Sequence, residues 1–291
     1  DATGCDIGVY YDAADGGGVK GGTISGATRY GVFVDGIAGD VNVDVTRSTI
    51  DNIGDQPRTG GQHGVGIYYD GIGTPGSVTG TVGDSTVSNY QKGGIVVNGE
   101  NADVMVTGNE VTGVGAVSYI AQNGIQFGYG GSGQARGNTV DGNWYTGANW
   151  TSTGILVFES DNVIVDRNTV SNSQTGLDAE SWCYFGVPSA SNNKFDGNTV
   201  TGADYGITVA AYSVYSACDP AADNNKVVGN ALSGTGDTGS EGIFVGSFVY
   251  TPGYTPKAEN NKVIHNSISG FETPIDTGLA TGTKVHANAT P

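Results

Sequence analysis

Residues 165–170 read VDRNTV, and related hexapeptides return as FDGNTV at 195–200, VVGNAL at 227–232 and VIHNSI at 263–268. Each begins with an apolar residue, has Asn at its fourth position and ends on a β-branched residue or Leu. With weaker copies included, ten hexapeptides begin at residues 19, 45, 82, 106, 135, 165, 195, 227, 263 and 285. Their mean step is about 30 residues, and a period of this size is typical of solenoids and other repeat arrays.

A second pattern alternates with the first. It is a Gly followed by residues of alternating type, as in GIVV at 94–97, GILV at 154–157, GITV at 206–209 and GIFV at 242–245. The first and third residues after this Gly are nearly all apolar, which is the alternation of a half-buried strand. No helical periodicity separates the two patterns, so the sequence predicts stacked coils of a parallel β-solenoid.

The Asn of the first pattern should stack from coil to coil as a ladder of side-chain amides, since adjacent coils lie about 4.8 Å apart. The members of this ladder are Asn109, Asn138, Asn168, Asn198, Asn230, Asn266 and Asn288. Asn also tolerates the left-handed backbone conformation of a turn. We expect the ladder to be structural.

These Asn-Thr-Val and Gly-Ile-x-Val repeats resemble the right-handed parallel β-helix proteins of the pectin-lyase-like superfamily over nearly the whole chain. The resemblance implies an all-β fold, a right-handed single-stranded parallel β-helix of about ten coils, with residues 1–291 as one domain. Catalytic patterns of its best-known members do not occur. Gln62-His63-Gly64 replaces the Gly-His-Gly of polygalacturonases, and YGVFVD at 30–35 lacks the Pro and His of the mannuronan epimerase pattern.

Composition narrows the class of partner. The 291 residues carry a net charge of −17 and include 51 glycines without the period of collagen. Twelve scattered Lys and Arg residues predict no phosphate-binding face, so nucleic acid is not expected as a partner. No apolar run is long enough to span a membrane.

The chain begins at Asp1 without Met or a signal segment, and we expect it to be a fragment or the mature part of a longer precursor. Because open solenoid ends expose strand edges, a missing capping domain or a homo-oligomer contact should cover them.

Three cysteines bear on the compartment. Alignment of the repeats puts Cys183 and Cys218 in loops of neighbouring coils, and we predict that they form a disulfide, which leaves Cys5 over. A disulfide implies an oxidising compartment and hence a secreted or cell-surface protein. The alternative is a pair of free thiols in a reducing compartment.

Residues two and four after the repeat Gly should point outward on one face. On the first three coils these positions hold Tyr10, Phe33 and Tyr68 beside Asp12, Asp35 and Asp70. Carboxylates stacked about 4.8 Å apart repel each other, and a bound cation would offset this repulsion. We predict Ca²⁺ or sugar binding here and no other cofactor; solvated acids are the alternative.

Further along the same face stand Asp178 and Glu180, with Glu159 on the preceding coil and Trp182 and Tyr184 just beyond. Residues i and i+2 of a strand lie about 6.5 to 7 Å apart, close to the separation of the two carboxyl groups in inverting glycosidases. Carboxyl groups on adjacent coils would lie about 5 Å apart, which is the separation in retaining glycosidases. Nearby rings would raise one carboxyl pKa and supply a general acid. We predict that Asp178, Glu180 and Glu159 are catalytic.

Gln126 points outward between these two regions, and Lys92 lies just before another outward-facing strand. Tyr10, Phe33, Tyr68, Gln126, Trp182, Tyr184 and Lys92 are the predicted substrate-binding residues. Lys92 would also be a candidate base if the reaction were an elimination. The sequence thus predicts an extracellular polysaccharide-degrading enzyme, a glycoside hydrolase or lyase. A non-catalytic glycan-binding, adhesive or tail-fibre module is the alternative.

Overall fold

A computed structural model describes residues 1–12, 16–184, 189–214 and 218–290. Within these ranges the chain forms 29 strands and one 3-10 helix, Gly36–Ala38, with no α-helix. The first ten strands are β1 (Ile7–Tyr11), β2 (Gly17–Lys20), β3 (Thr23–Ser25), β4 (Tyr30–Asp35), β5 (Val41–Thr46), β6 (Thr49–Asp51), β7 (Val65–Asp70), β8 (Val78–Gly83), β9 (Thr86–Ser88) and β10 (Gly93–Asn98). The next ten are β11 (Ala102–Thr107), β12 (Glu110–Val117), β13 (Asn123–Gly128), β14 (Ser132–Arg136), β15 (Thr139–Tyr145), β16 (Thr153–Phe158), β17 (Ile164–Asp166), β18 (Thr169–Ser171), β19 (Thr175–Ser181) and β20 (Lys194–Asp196). The last nine are β21 (Thr199–Ala203), β22 (Tyr205–Tyr212), β23 (Lys226–Val228), β24 (Ala231–Gly234), β25 (Glu241–Phe248), β26 (Lys262–Ile264), β27 (Ser267–Ser269), β28 (Thr273–Leu279) and β29 (Lys284–His286).

Every third strand belongs to the same sheet, and neighbouring strands in each sheet are parallel. Sheet A contains ten strands from β1 to β28, sheet B ten strands from β2 to β29, and sheet C nine strands from β3 to β27. One strand from each sheet makes one coil. The predicted right-handed parallel β-helix of about ten coils is confirmed.

The repeat Gly marks the point where the backbones of adjacent coils come closest. A Cβ added at Gly94 would lie 2.5 Å from the carbonyl oxygen of Gly124 and 2.5 Å from a methyl group of Val111. The residues one and three after it, Ile95 and Val97, are fully buried, as the alternation predicts. The same positions of the other coils continue this apolar core along the helix axis.

The predicted Asn ladder is present. In each step from Asn109 to Asn288 the side-chain nitrogen donates to the Oδ1 of the next Asn at 2.9–3.0 Å. The left-handed residue, however, is the one before the ladder Asn, for example Gly108, Gly197 and Gly229. The turn therefore uses the residue before the ladder Asn, and not the Asn itself, for the left-handed conformation.

A second, shorter ladder contains Asn193, Asn225 and Asn261. The backbone N–H of Asn193 donates to Oδ1 of Asn225 at 2.8 Å, and that of Asn225 donates to Oδ1 of Asn261 at 2.7 Å. Its signal in the sequence is Asn-Asn-Lys, repeated at 192–194, 224–226 and 260–262. In this motif the first Asn is left-handed.

The predicted disulfide joins Cys183 and Cys218, whose Cα atoms are 5.8 Å apart, and Cys5 is free and exposed. Within the described ranges, no helix has the length and apolar character needed to cross a membrane. Coverage of the terminal coils by a cap or by a second copy stays a prediction.

Candidate functional site

The outer face of sheet A forms the floor of a groove with a volume of about 1550 Å³. Loops that enter sheet A from sheet C border one side, and loops that leave it toward sheet B border the other. The residues two after the repeat Gly lie side by side along the floor because the strands are in register. They include Tyr68, Val96, Gln126, Leu156, Asp178, Thr208 and Phe244.

Asp178 lies in the floor between Leu156 and Thr208 of the adjacent strands. Its side chain is buried, with 4% of the residue exposed, and Oδ1 has no hydrogen-bond partner among the described residues. Burial, and then the neighbouring carboxyl of Glu180, raise the pKa of Asp178 well above its ordinary value. A carboxyl in these surroundings favours its protonated form.

Glu180 is half-buried two residues further along the same strand, beside Phe158 and Ala210. Its Oε2 accepts a hydrogen bond from the indole N–H of Trp182 at 3.0 Å. Burial raises the pKa of Glu180 to about 7; the Trp182 hydrogen bond acts in the opposite direction, and Glu159 adds to the rise. The pair therefore keeps a proton to higher pH than two isolated carboxyls would.

Glu159 does not line the groove. It follows β16, is fully buried, and its Oε1 accepts the backbone N–H groups of Trp182, at 3.3 Å, and of Tyr184. The expected position of Glu159, outward beside the carboxylate pair, is corrected accordingly. Its carboxylate fixes the backbone of the segment that carries Trp182.

Aromatic rings surround the two groove carboxyls. Trp150 comes from the loop before β16 and stacks on Trp182, which follows β19, with ring centroids 5.5 Å apart. Because the two residues come from opposite edges of sheet A, their contact joins the two sides of the groove. Phe158 and Tyr212 contact the Trp182 ring edge-on at 5.7 and 6.0 Å. Tyr184 is exposed at the rim.

Toward the N-terminal end, a row of hydrogen-bonded amides lies on the floor. Asn123 donates to Oε1 of Gln126 at 2.9 Å, and Gln126 donates to Oδ1 of Asn98 at 3.0 Å. Asn98 in turn donates to the Tyr68 hydroxyl at 3.4 Å. Each amide keeps further hydrogen-bonding capacity for a ligand, because an amide has two donors and two acceptor lone pairs.

Lys92 lines the same part of the groove, and its ammonium group donates to the carbonyl of Ala121 at 2.8 Å. Burial lowers the pKa of Lys92 to about 8. Among the described lining residues it is the only basic one.

The predicted aromatic file is present on the first coils. Tyr10 stacks on Phe33 and Phe33 on Tyr68, with centroids 5.3 and 5.5 Å apart. Their faces are turned toward each other along the helix axis, so a sugar can reach mainly their edges and hydroxyl groups. This geometry makes face-on sugar stacking on Phe33 unavailable.

Asp35 and Asp70 are register partners on adjacent strands, but each accepts a hydrogen bond from the turn that follows it. Oδ1 of Asp35 accepts the backbone N–H of Ile37 at 3.0 Å, and Oδ1 of Asp70 accepts that of Ile72 at 3.1 Å. Within the part of the chain that the structure describes, no three His, Cys, Asp or Glu side chains are grouped to hold a metal ion. Calcium binding by Asp12, Asp35 and Asp70 has no geometric support here and stays a prediction.

The fold is that of a β-helix protein with a long groove on the outer face of one sheet. The family profile described as the right handed beta helix region matches residues 36–249, and the chain belongs to this family. A search of curated proteins finds no match.

Solved structures share the fold. A threonine-to-asparagine mutant of the periplasmic alginate epimerase AlgG is similar with a TM-score of 0.55 and 12% identity, over 89% of this chain and 62% of that chain. A double mutant of AlgG gives a TM-score of 0.52 and 14% identity over the same shares. The chain therefore spans about three fifths of the length of these structures. At such identity the likeness concerns the fold alone.

The groove contains most of the binding and catalytic residues that the sequence predicts, together with some that it does not indicate. Asp178, Glu180, Trp182, Tyr184, Gln126, Tyr68 and Lys92 all line the groove. Asn98 and Asn123 were not singled out, although Asn98 occupies an outward position of the repeat. Trp150 was missed because it lies in a loop that has no repeat to place it.

Proposed function

We propose that the groove binds an extended neutral glycan and that Asp178 and Glu180 hydrolyse a glycosidic bond in it. The observation that carries this proposal is the Asp178 carboxyl, buried in the groove floor beside Glu180 and without a hydrogen bond to its Oδ1 from the described residues. A buried carboxyl without a partner is costly to keep, and such groups cluster at functional sites.

The surroundings assign different roles to the two groups. Asp178 would donate its proton to the glycosidic oxygen as the bond from that oxygen to the anomeric carbon breaks. Glu180, whose carboxylate the indole N–H of Trp182 stabilises, would take a proton from the water that attacks the anomeric carbon. The products are two sugar chains with one water added, and this division of acid and base is that of an inverting glycosidase.

The charge of the groove supports a neutral substrate. Asp178, Glu180 and Glu241 line it, against Lys92 as the single basic residue among the described lining side chains. A uronate polymer would meet net repulsion there, and a lyase would need a base beside a neutralised uronate. The row of Asn98, Gln126 and Asn123 instead suits the hydroxyl groups of neutral sugars, and the rings of Trp150 and Tyr212 suit their apolar faces.

Two further features belong to this proposal. The disulfide between Cys183 and Cys218 supports a location in an oxidising compartment, either secreted, periplasmic or at the cell surface. We also propose that residues 1–291 act as one β-helical domain, because the apolar core is continuous along the coils.

The test is incubation with a panel of neutral and uronate polysaccharides, with measurement of new reducing ends and of the absorbance of unsaturated products. We expect reducing ends without absorbance from a neutral glycan. Asp178→Asn and Glu180→Gln should each lower the rate by about 100- to 10,000-fold, the range for loss of a general acid or base.

Asp103→Asn and Glu110→Gln serve as matched controls, because both acids are exposed on strands of sheets B and C. Their rates should equal that of the wild type. Unsaturated products would indicate a lyase and refute the hydrolase. Retention of a glycan without any product would identify the non-catalytic binding module instead.

A further inference from the structure

Four lysines stand in register on the outer face of sheet B, a face separate from the groove. Lys194 pairs with Lys226, Lys226 with Lys262, and Lys262 with Lys284 on consecutive strands. Their spacing is that of adjacent coils, about 4.8 Å. The expectation that basic residues are scattered is therefore wrong, because a third of the twelve Lys and Arg residues form one file.

Most of this file lacks counter-charges. Lys194 forms an ion pair with Asp196 at 2.5 Å, but within the described ranges Lys226, Lys262 and Lys284 form none. All three are exposed. The acid that precedes Lys226 in its turn, Asp223, accepts the backbone N–H of Glu259 at 2.6 Å. Like charges directly opposite each other on neighbouring strands are destabilising, so the file has a cost that a ligand would offset.

A concave site accompanies the file. Its volume is about 300 Å³, and its described lining residues are Asn192, Asn224, Asn260, Lys226 and Lys262. The three Asn residues are the left-handed ones of the Asn-Asn-Lys motif, with φ between 56° and 60°. These Asn residues and the two lysines line the same depression, which therefore offers both amide and ammonium groups.

We propose that Lys226, Lys262 and Lys284, with Asn224 and Asn260, form a second binding site that takes a linear anionic polysaccharide. A row of cations along the helix axis fits a ligand whose carboxylate or sulfate groups repeat along a line. Single-stranded nucleic acid is the less suitable occupant, because its binding relies on aromatic side chains for base stacking. The described lining of this site contains no Trp, Tyr or Phe.

This site is independent of the reaction proposed for the groove, and it can be tested without substrate turnover. The experiment measures binding of fluorescently labelled oligogalacturonate, chondroitin sulfate, dextran of similar length and single-stranded DNA to the whole chain at low and physiological salt. The first two probes separate carboxylate from sulfate recognition. We expect binding of at least one of them that weakens at higher salt, whereas any dextran binding would occur in the groove and should change little with salt.

The triple variant Lys226→Gln, Lys262→Gln, Lys284→Gln should weaken anionic glycan binding by about tenfold or more, since it removes three exposed cations that would each pair with an acidic group of the ligand. The matched control is Lys20→Gln, Arg29→Gln, Arg47→Gln, which removes the same net charge from exposed positions outside the file. Thermal unfolding of both variants confirms that each is folded.

Several results would overturn the proposal. Equal weakening in the control would mean that total charge alone governs binding. DNA bound as tightly as the anionic glycans would replace the glycan with nucleic acid. Absence of binding to both anionic glycans would remove the site. None of these results bears on hydrolysis in the groove, which the Asp178 and Glu180 variants test separately.

Discussion

Asp178 and Glu180 are two residues apart on one strand, yet their surroundings differ. The indole N–H of Trp182 donates to Glu180, and no described residue donates to Oδ1 of Asp178. A hydrogen bond to the ionised form of a carboxyl lowers its pKa. Trp182 therefore favours ionised Glu180 next to protonated Asp178, which is the state that the proposed hydrolysis needs.

Trp182→Phe tests this effect because it removes the N–H and keeps an aromatic ring. We expect the pKa of Glu180 to rise by about one pH unit or more, since hydrogen bonds to charged groups contribute about 1.5–3 kcal/mol net and one pH unit corresponds to about 1.4 kcal/mol. Carboxyl ¹³C NMR titration measures this directly. The rate of hydrolysis should rise with pH near 7 as Glu180 ionises. In Trp182→Phe this rise should occur at higher pH.

Trp150→Phe is the control, because Trp150 stacks on Trp182 but makes no hydrogen bond to Glu180. Its titration should match the wild type. An unchanged Glu180 titration in Trp182→Phe would show that the indole hydrogen bond does not distinguish the two carboxyls.

At the scale of the element, the buried Asn ladder ties each coil to the next. Asn168 donates to the carbonyl of Ala135 at 2.9 Å and to Asn198 at 3.0 Å, and it accepts from both the backbone and side-chain nitrogens of Asn138 at 2.9 Å. Its loss would leave buried partners on both adjacent coils without a hydrogen bond. Water cannot enter this packed interior to hydrogen-bond to these partners in place of the lost amide.

Asn168→Ala should therefore lower the free energy of unfolding by about 2–4 kcal/mol, because a buried polar group left unsatisfied costs about 1–3 kcal/mol and this substitution leaves more than one. Asn288→Ala, at the last position of the ladder where the residue is only half-buried, should cost about 1 kcal/mol because water can take the place of the amide. Urea unfolding of both variants measures the difference. Equal costs would contradict a ladder whose strength depends on burial.

The ladder and the strands could be predicted from sequence because each depends on a short pattern repeated once per coil. Val97 and Val157 both point inward because both are the third residue after the repeat Gly, so each copy of the pattern supports the prediction made for the other. The Trp150–Trp182 contact could not be predicted, since it depends on the paths of two loops of different length. The lysine file was present in the sequence as Asn-Asn-Lys, but only three copies exist and the steps between them are unequal.

At the scale of the whole molecule, the strands of each coil pair only with the strands of the adjacent coils. The stability of such a protein is the sum of coil energies and of the interfaces between adjacent coils. Interior coils have two interfaces and terminal coils have one. The difference is visible in sheet B, where Val263 of β26 is fully buried and Val285 of β29 is 43% exposed.

Hydrogen exchange should follow this gradient. We expect the backbone amides of β13 and β16, in the middle of sheet A, to exchange slowest and those of β29 to exchange fastest, with rates that differ on the order of 100-fold or more because terminal coils open without disrupting the others. Mass spectrometry of peptides from each coil, with the Cys183–Cys218 disulfide intact, provides the measurement. Asn168→Ala should speed exchange in the coils on both sides of the substitution before it affects β1 or β4. Uniform protection along all ten coils would instead show that the chain unfolds as one cooperative unit, and interfaces between coils would then dominate over the energies of single coils.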